Sequence, residues 1–136
     1  ATAAVINELD DIVASFTFAY AAGGAYVSEV TITCKDAAGA TVDAARPFMV
    51  WLSDAATGVG LTGTSASGTV QAKSASGADF AVLAAKKCLL VQPLATGIYI
   101  LEITDSSKTA FYPCAATLDG RAFSVGAQMA SGDYGA

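Results

Sequence analysis

Few residues in this chain have the types and spacing that chemistry needs. Its 136 residues include no histidine. The commonest general base is therefore missing, and neither a Ser-His-Asp nor a Cys-His arrangement can form within the chain. The three cysteines, Cys34, Cys88 and Cys114, lie far apart, and none belongs to a C-x-x-C. A structural zinc takes about four ligands, mostly Cys and His, so no metal site is expected. Asp10-Asp11 is the only adjacent carboxylate pair. A solvated face near the N-terminus explains it better than a calcium or acid/base site. There is no G-x-S-x-G and no G-x-x-x-x-G-K-[ST], and Gly58-Val59-Gly60 lacks the third glycine of a dinucleotide fingerprint. No catalytic residue, cofactor or metal is expected, and the chain reads as a structural or binding module rather than an enzyme.

The composition points the same way. Hydrophobic residues make up 54% and charged residues 14%, against about 25% charged in average soluble proteins. The surface must therefore be built largely from Ala, Gly, Ser and Thr, which suits a protein packed against neighbours. Net charge is −5, and Lys86-Lys87 is the only adjacent basic pair. Binding to a phosphate backbone requires clustered positive charge, so nucleic acid is not expected as a partner. No apolar run approaches the ~20 residues that span a bilayer, so no membrane partner is expected either. Ala1 to Ala4 show neither a basic nor a long apolar stretch of the signal-peptide kind.

Short apolar runs rich in β-branched and aromatic residues, broken by Gly, Ser, Asp and Thr, predict many short strands. Phe16 to Tyr20 puts its three aromatics on one face. Val30, Ile32 and Cys34 alternate with Thr31, Thr33 and Lys35, the pattern of a half-buried antiparallel strand. Asp36 to Gly39 reads as a turn. Phe48 to Leu52 is apolar on both faces and reads as a central strand covered on both sides, with Pro47 where a missing N–H does least harm. Weak strands are expected near Val59 to Thr64 and Thr69 to Ala72, and a strong one over Ile98 to Thr104. Ala110 to Ala115 reads as another, with Pro113 marking an edge or a bulge. Arg121 to Ala127 alternates, with Phe123, Val125 and Ala127 on one face. Between Asp79 and Val91 two strands, Phe80 to Leu83 and Leu89 to Gln92, fit better than one helix. Val5, Leu9, Ile12 and Val13 have helical spacing, but the segment reads equally as an extended arm.

The expected fold is all-β: one antiparallel β-sandwich over residues 1–136, Ig-like or jelly-roll-like, with about seven to nine strands. Residues 1–14 would form the arm or short helix, and 129–136 a C-terminal tail. In immunoglobulin domains two cysteines pair across the sheets over a buried Trp, with a Tyr two residues before the second Cys. Tyr112 precedes Cys114 in that way, and Trp51 follows Cys34. The long separation and the intervening Pro113 favour buried thiols over a Cys34–Cys114 disulfide.

Two stretches carry a resemblance. Val30-Thr31-Ile32-Thr33-Cys34-Lys35-Asp36-Ala37-Ala38-Gly39-Ala40-Thr41-Val42 resembles the strand and turn that open bacterial Ig-like domains of the invasin type. Ala95 to Asp105, followed by Lys108 to Tyr112, resembles the late hairpin of small Ig-like proteins among the structural proteins of tailed phages. Together they cover about a third of the chain. Small Ala/Gly/Thr-rich sandwiches of this kind are similar to phage head decoration, or cement, proteins. The resemblance implies a virion structural protein on the capsid surface, assembled in the host cytoplasm. Its partner would be the major capsid protein, with self-association as a dimer or trimer. The residues expected to make contacts are Val5, Ile6, Leu9 and Ile12 of the arm, with Met49 and Trp51 as a second patch. The alternatives are an Ig-like adhesin or carbohydrate-binding module, and an assembling subunit of a tail tube or pilus.

Overall fold

The computed structural model describes residues 12–136. The arm residues Val5, Ile6 and Leu9, and Asp10-Asp11, lie outside the described residues. Among the described residues nine strands run in order: β1 (Ser15–Ala22), β2 (Val27–Lys35), β3 (Phe48–Ser53), β4 (Val70–Ala72), β5 (Ala78–Ala84), β6 (Cys88–Gln92), β7 (Ile98–Thr104), β8 (Tyr112–Thr117) and β9 (Phe123–Val125). They form a four-stranded sheet, β1-β2-β7-β4, and a five-stranded sheet, β5-β6-β3-β8-β9. Every strand pair is antiparallel. The fold is thus the expected all-β sandwich.

The strand order is of the immunoglobulin kind. There, strands A-B-E-D make one sheet and C-F-G the other. Here β1-β2-β7-β4 follows the first order and β3-β8-β9 the second. The hairpin β5-β6 extends the second sheet beyond β3.

The core follows from period-two alternation. Val30, Ile32 and Cys34 of β2 are fully buried, as are Tyr99, Leu101 and Ile103 of β7. They meet Phe48, Val50 and Leu52 of β3 with Leu89 and Val91 of β6. Burying each such side chain contributes about 1.5–3 kcal/mol. Phe48 links the layers, its ring 4.9 Å from Phe16 and 5.9 Å from Tyr99. The buried Tyr99 hydroxyl donates to the Asp79 carboxylate at 2.6 Å, and that carboxylate also accepts the Ala72 N–H at 2.8 Å. One acid thus ties β5 to β7 and β4.

Loops are closed by similar means. Asp105, 1% exposed, accepts the N–H groups of Ser67, Ser107 and Thr109 at 3.3, 3.1 and 3.0 Å. Burial works to raise its pKa, but these donors outweigh it and hold the carboxyl below its ordinary value. The segment 129–136, read as a tail, is part of the body instead. Met129 and Tyr134 are buried, and Gly135 donates its N–H to Val27 O at 2.9 Å. Tyr134 adds a hydroxyl bond to Thr109 O at 2.7 Å.

Two strand expectations are corrected. Val59 to Thr64 forms no strand, because its polar groups are spent on local bonds to Ser53, Asp54 and the Leu52 carbonyl. Pro113 marks neither an edge nor a bulge, since β8 lies between β3 and β9. The Pro113 carbonyl faces the β9 side, where it accepts the Gly126 N–H at 2.7 Å. Its missing N–H points the same way, just past the last β9 residue, so the one bond proline cannot make lies at the end of that ladder.

Gly97 opens β7 with φ +77°, and a Cβ there would run into the Val42 carbonyl. A side chain therefore meets both backbone strain and a clash. Gly97→Ala is expected to cost about 2–4 kcal/mol. Urea unfolding should show a lower midpoint with an unchanged slope, and an unchanged midpoint would remove this junction from the account of stability.

Candidate interaction face

The two sheets treat their outward faces differently. On the four-stranded sheet, the residues alternating with the core mix polar and charged side chains with the apolar Val27, Ile98 and Ile100. β2 presents Glu29, Thr31, Thr33 and Lys35, while β7 presents Glu102 and Thr104. Lys73 Nζ lies 2.7 Å from Glu29 Oε1 across this surface. Such a face is the usual solvated side of an antiparallel sheet.

The five-stranded sheet has no such face. Register with the buried positions of β3 turns Met49, Trp51 and Ser53 outward. Cys88 and Leu90 of β6 lie beside Trp51 and Met49 on one flank. Cys114 and Ala116 of β8 lie beside them on the other, followed by Val125 and Phe123 of β9. Ala81 and Ala84 continue the face onto β5. None of these outward residues is charged.

Trp51 organises the face. Its ring stacks on Phe123 with centroids 5.5 Å apart and an interplanar angle of 8°. Its indole N–H donates to Gly58 O at 3.0 Å, fixing the loop after β3 across the upper part of the sheet. Gly58 has φ +74°, and a Cβ there would stand 2.7 Å from Val125 Cγ2 and 2.8 Å from Phe123 Cζ. Only glycine lets the loop lie this close. Phe123 stays 50% exposed, and Met49, Leu90 and Trp51 are half-buried.

The open edge of the same sheet is also apolar. Four strands do not cover five, and β5 reaches past the partner sheet. Phe80, Val82 and Leu83 are 55%, 62% and 56% exposed. Phe80 and Leu83 fall at two register shifts against β6. Such irregularities blunt an edge against indefinite strand pairing.

The two residues expected from sequence as a patch, Met49 and Trp51, are thus neighbours on one face. Ile12 is elsewhere, in an open hollow with Val13, Arg46, Pro47, Leu118 and Arg121. Sequence reading missed Leu90 and Phe80 as surface residues. Both lie in largely apolar stretches, and only pairing partners reveal which side each residue takes.

The cysteines are free and buried. Cys34 sits in the core between the sheets, whereas Cys88 and Cys114 lie on the outward face beside Trp51. Cys34 and Cys114 occupy the strands that carry the immunoglobulin disulfide, but they point to different layers. Comparison with protein-family models, with curated proteins and with solved structures finds no match.

Burial pushes the Cys34 and Cys114 thiols up to about 12, and Cys88 shifts the same way. Burial likewise raises Tyr20 to about 12, with Asp133 and Cys114 adding to the effect. These groups are neutral in the folded protein, whereas unfolding frees the thiols to ionise above 9.0. Their contribution to stability is therefore complete below that pH and is lost as pH rises toward 12. Urea midpoints should hold steady up to about pH 8.5 and then fall. A disulfide reagent at pH 8 should label the native chain far more slowly than the unfolded one, which should yield three thiols without reductant. Fast native labelling, or fewer thiols on unfolding, would contradict this arrangement.

Proposed function

We propose that this chain is a virion structural protein that decorates the outside of a phage head and clamps neighbouring capsid subunits. The observation that carries the reading is the outward face of the five-stranded sheet, which is apolar and uncharged on an otherwise acidic protein. Contact surfaces at interface cores are depleted of charge and enriched in aromatic residues and Met, as this face is. The scaffold behind it is rigid: two sheets share one core, and acids at 79 and 105 close their loops. Clamping needs apolar area on such a scaffold and no reacting group. The resemblance of residues 30–42 and 95–112 to Ig-like phage structural proteins supports the same reading, with the major capsid protein as partner.

A second reading, a carbohydrate-binding Ig-like module, draws on one observation. The half-exposed Phe123 ring stacked on Trp51 is a flat aromatic platform of the kind on which a sugar ring can lie. Glycan binding abolished by Phe123→Ala, without any shell association, would favour it over decoration.

The decoration reading is tested on the native particle. A source lysate is separated on a density gradient and the chain located by mass spectrometry. Decoration places it with shell-sized particles at high copy number, and a position among small oligomers sinks the reading. The contribution of the arm (Val5, Ile6, Leu9, Ile12) is tested separately. Removing residues 1–12 should leave a folded chain that no longer binds shells, and retained binding would take the arm out of the mechanism.

A further inference from the structure

We propose that the outward face of the five-stranded sheet is covered by a second copy of this chain, the two sheets stacking face to face about a twofold axis. The proposal names a partner for the face on which the decoration reading rests, but it does not require a shell. Charge is its first support. The chain carries a net charge of −5, so two copies repel over most of their surfaces. A twofold contact sets one patch against itself, and any charge in it meets its own kind. The outward residues of this face carry no charge, whereas those of the other sheet include Glu29 and Glu102. Only the first can meet itself without like-charge repulsion.

Size is the second support. Five strands about 4.8 Å apart and about five residues long on average, at about 3.4 Å per residue, present a face of roughly 24 by 17 Å, part of which, at Ser53 and Cys114, the chain itself already covers. Together with the exposed Phe80, Val82 and Leu83 at the adjoining edge, this suits a contact somewhat smaller than the ~800 Å² that each partner buries in a standard interface, and hence one of moderate affinity. The third is composition. Met49, Trp51, Leu90 and Phe123 are the large flexible and aromatic residues that dominate interface cores. Two antiparallel sheets can interdigitate such residues at a spacing of about 10 Å, as the sheets of one sandwich do.

The full chain is examined by sedimentation equilibrium from about 1 μM to about 500 μM, a range that brackets a dimer of moderate affinity. The expected limiting mass is twice the 13.6 kDa of one chain. Trp51 is the only tryptophan and lies on the face, so its emission should shift to the red on dilution, with the same midpoint as the mass. Leu90→Glu and, separately, Met49→Lys should each weaken association at least tenfold. Far-UV circular dichroism and the urea midpoint report that each variant is folded. Thr31→Glu, on the outward face of the other sheet, should leave the dimer intact. A mass of one chain at every concentration overturns the proposal and leaves the face to the chain's own residues 1–11 or to a different protein. A dimer indifferent to both face substitutions overturns it as well. A monomer that still travels with shells fails this inference and keeps the decoration reading, whereas a dimer found on no particle does the opposite.

Discussion

A strand shows alternate side chains to opposite sides, so burying one face of a sheet leaves a second face to be dealt with. This constraint sets most of what the molecule is. The inner faces pose no difficulty: Val30, Ile32, Leu101 and Ile103 from one sheet fill the space against Phe48, Val50 and Leu52 from the other. The outer faces get opposite answers. Threonine, glutamate and lysine on β2 and β7, set among Val27, Ile98 and Ile100, hydrate one sheet. On the other, Met49, Trp51, Leu90 and Phe123 leave water little to bind.

The sides of the sandwich are equally unequal. Where β1 meets β9, the Phe16 N–H donates to the Ser124 hydroxyl at 2.9 Å and Tyr20 donates to the Ala127 carbonyl. That side is closed by hydrogen bonds that cross between sheets. On the opposite side Asp79 makes the link, accepting from Tyr99 within the core and from the Ala72 backbone. The buried Tyr99 hydroxyl needs that carboxylate, since an unpaired buried hydroxyl costs about 1–3 kcal/mol. Asp79 is therefore held in place by these bonds at the sheet edge while itself exposed, and it is the only charged residue that β5 has. The rest of the strand is left apolar and exposed.

Much of this fold is legible in the alternation of residue types along the chain. Residues 30–35 read as a strand because β-branched and polar residues trade places every second position, and 98–104 because β-branched and aromatic residues run on after Gly97; both are strands over those residues. The hairpin at 78–92 is legible because Phe80, Leu83 and Lys87 do not share a helical face. The run 48–52 reads as a central strand covered on both sides. It is central, but its second side holds half-buried Met49 and Trp51. What a single sequence does not supply is parity between strands. Cys34 and Cys114 lie on the expected strands, yet the layer each faces depends on cross-strand register: Cys114 sits opposite Trp51, and Trp51 points outward. The same dependence hides Leu90 and Phe123 as members of one surface. The loop at 59–64 misleads because its valine, leucine and threonine suit a strand. The carbonyls and N–H groups of this loop and of Gly58 beside it are instead consumed by Ser53, Asp54 and the indole of Trp51.

Contiguous apolar surface in water favours association, and the outward face of the five-stranded sheet is surface of that kind. Lysine or glutamate at the outward positions would blunt such a face, as charged side chains blunt sheet edges. This chain has them on β2 and β7, so the means were available to it. The contrast lies within one molecule. The same 136 residues that place charge on the outer face of one sheet withhold it from the outward positions of the other, and they pin a glycine loop onto the second sheet through Trp51 so that its shape is fixed. A fixed, uncharged surface with exposed aromatic and Met side chains has the composition of an interface core, and the proposed assembly would use it.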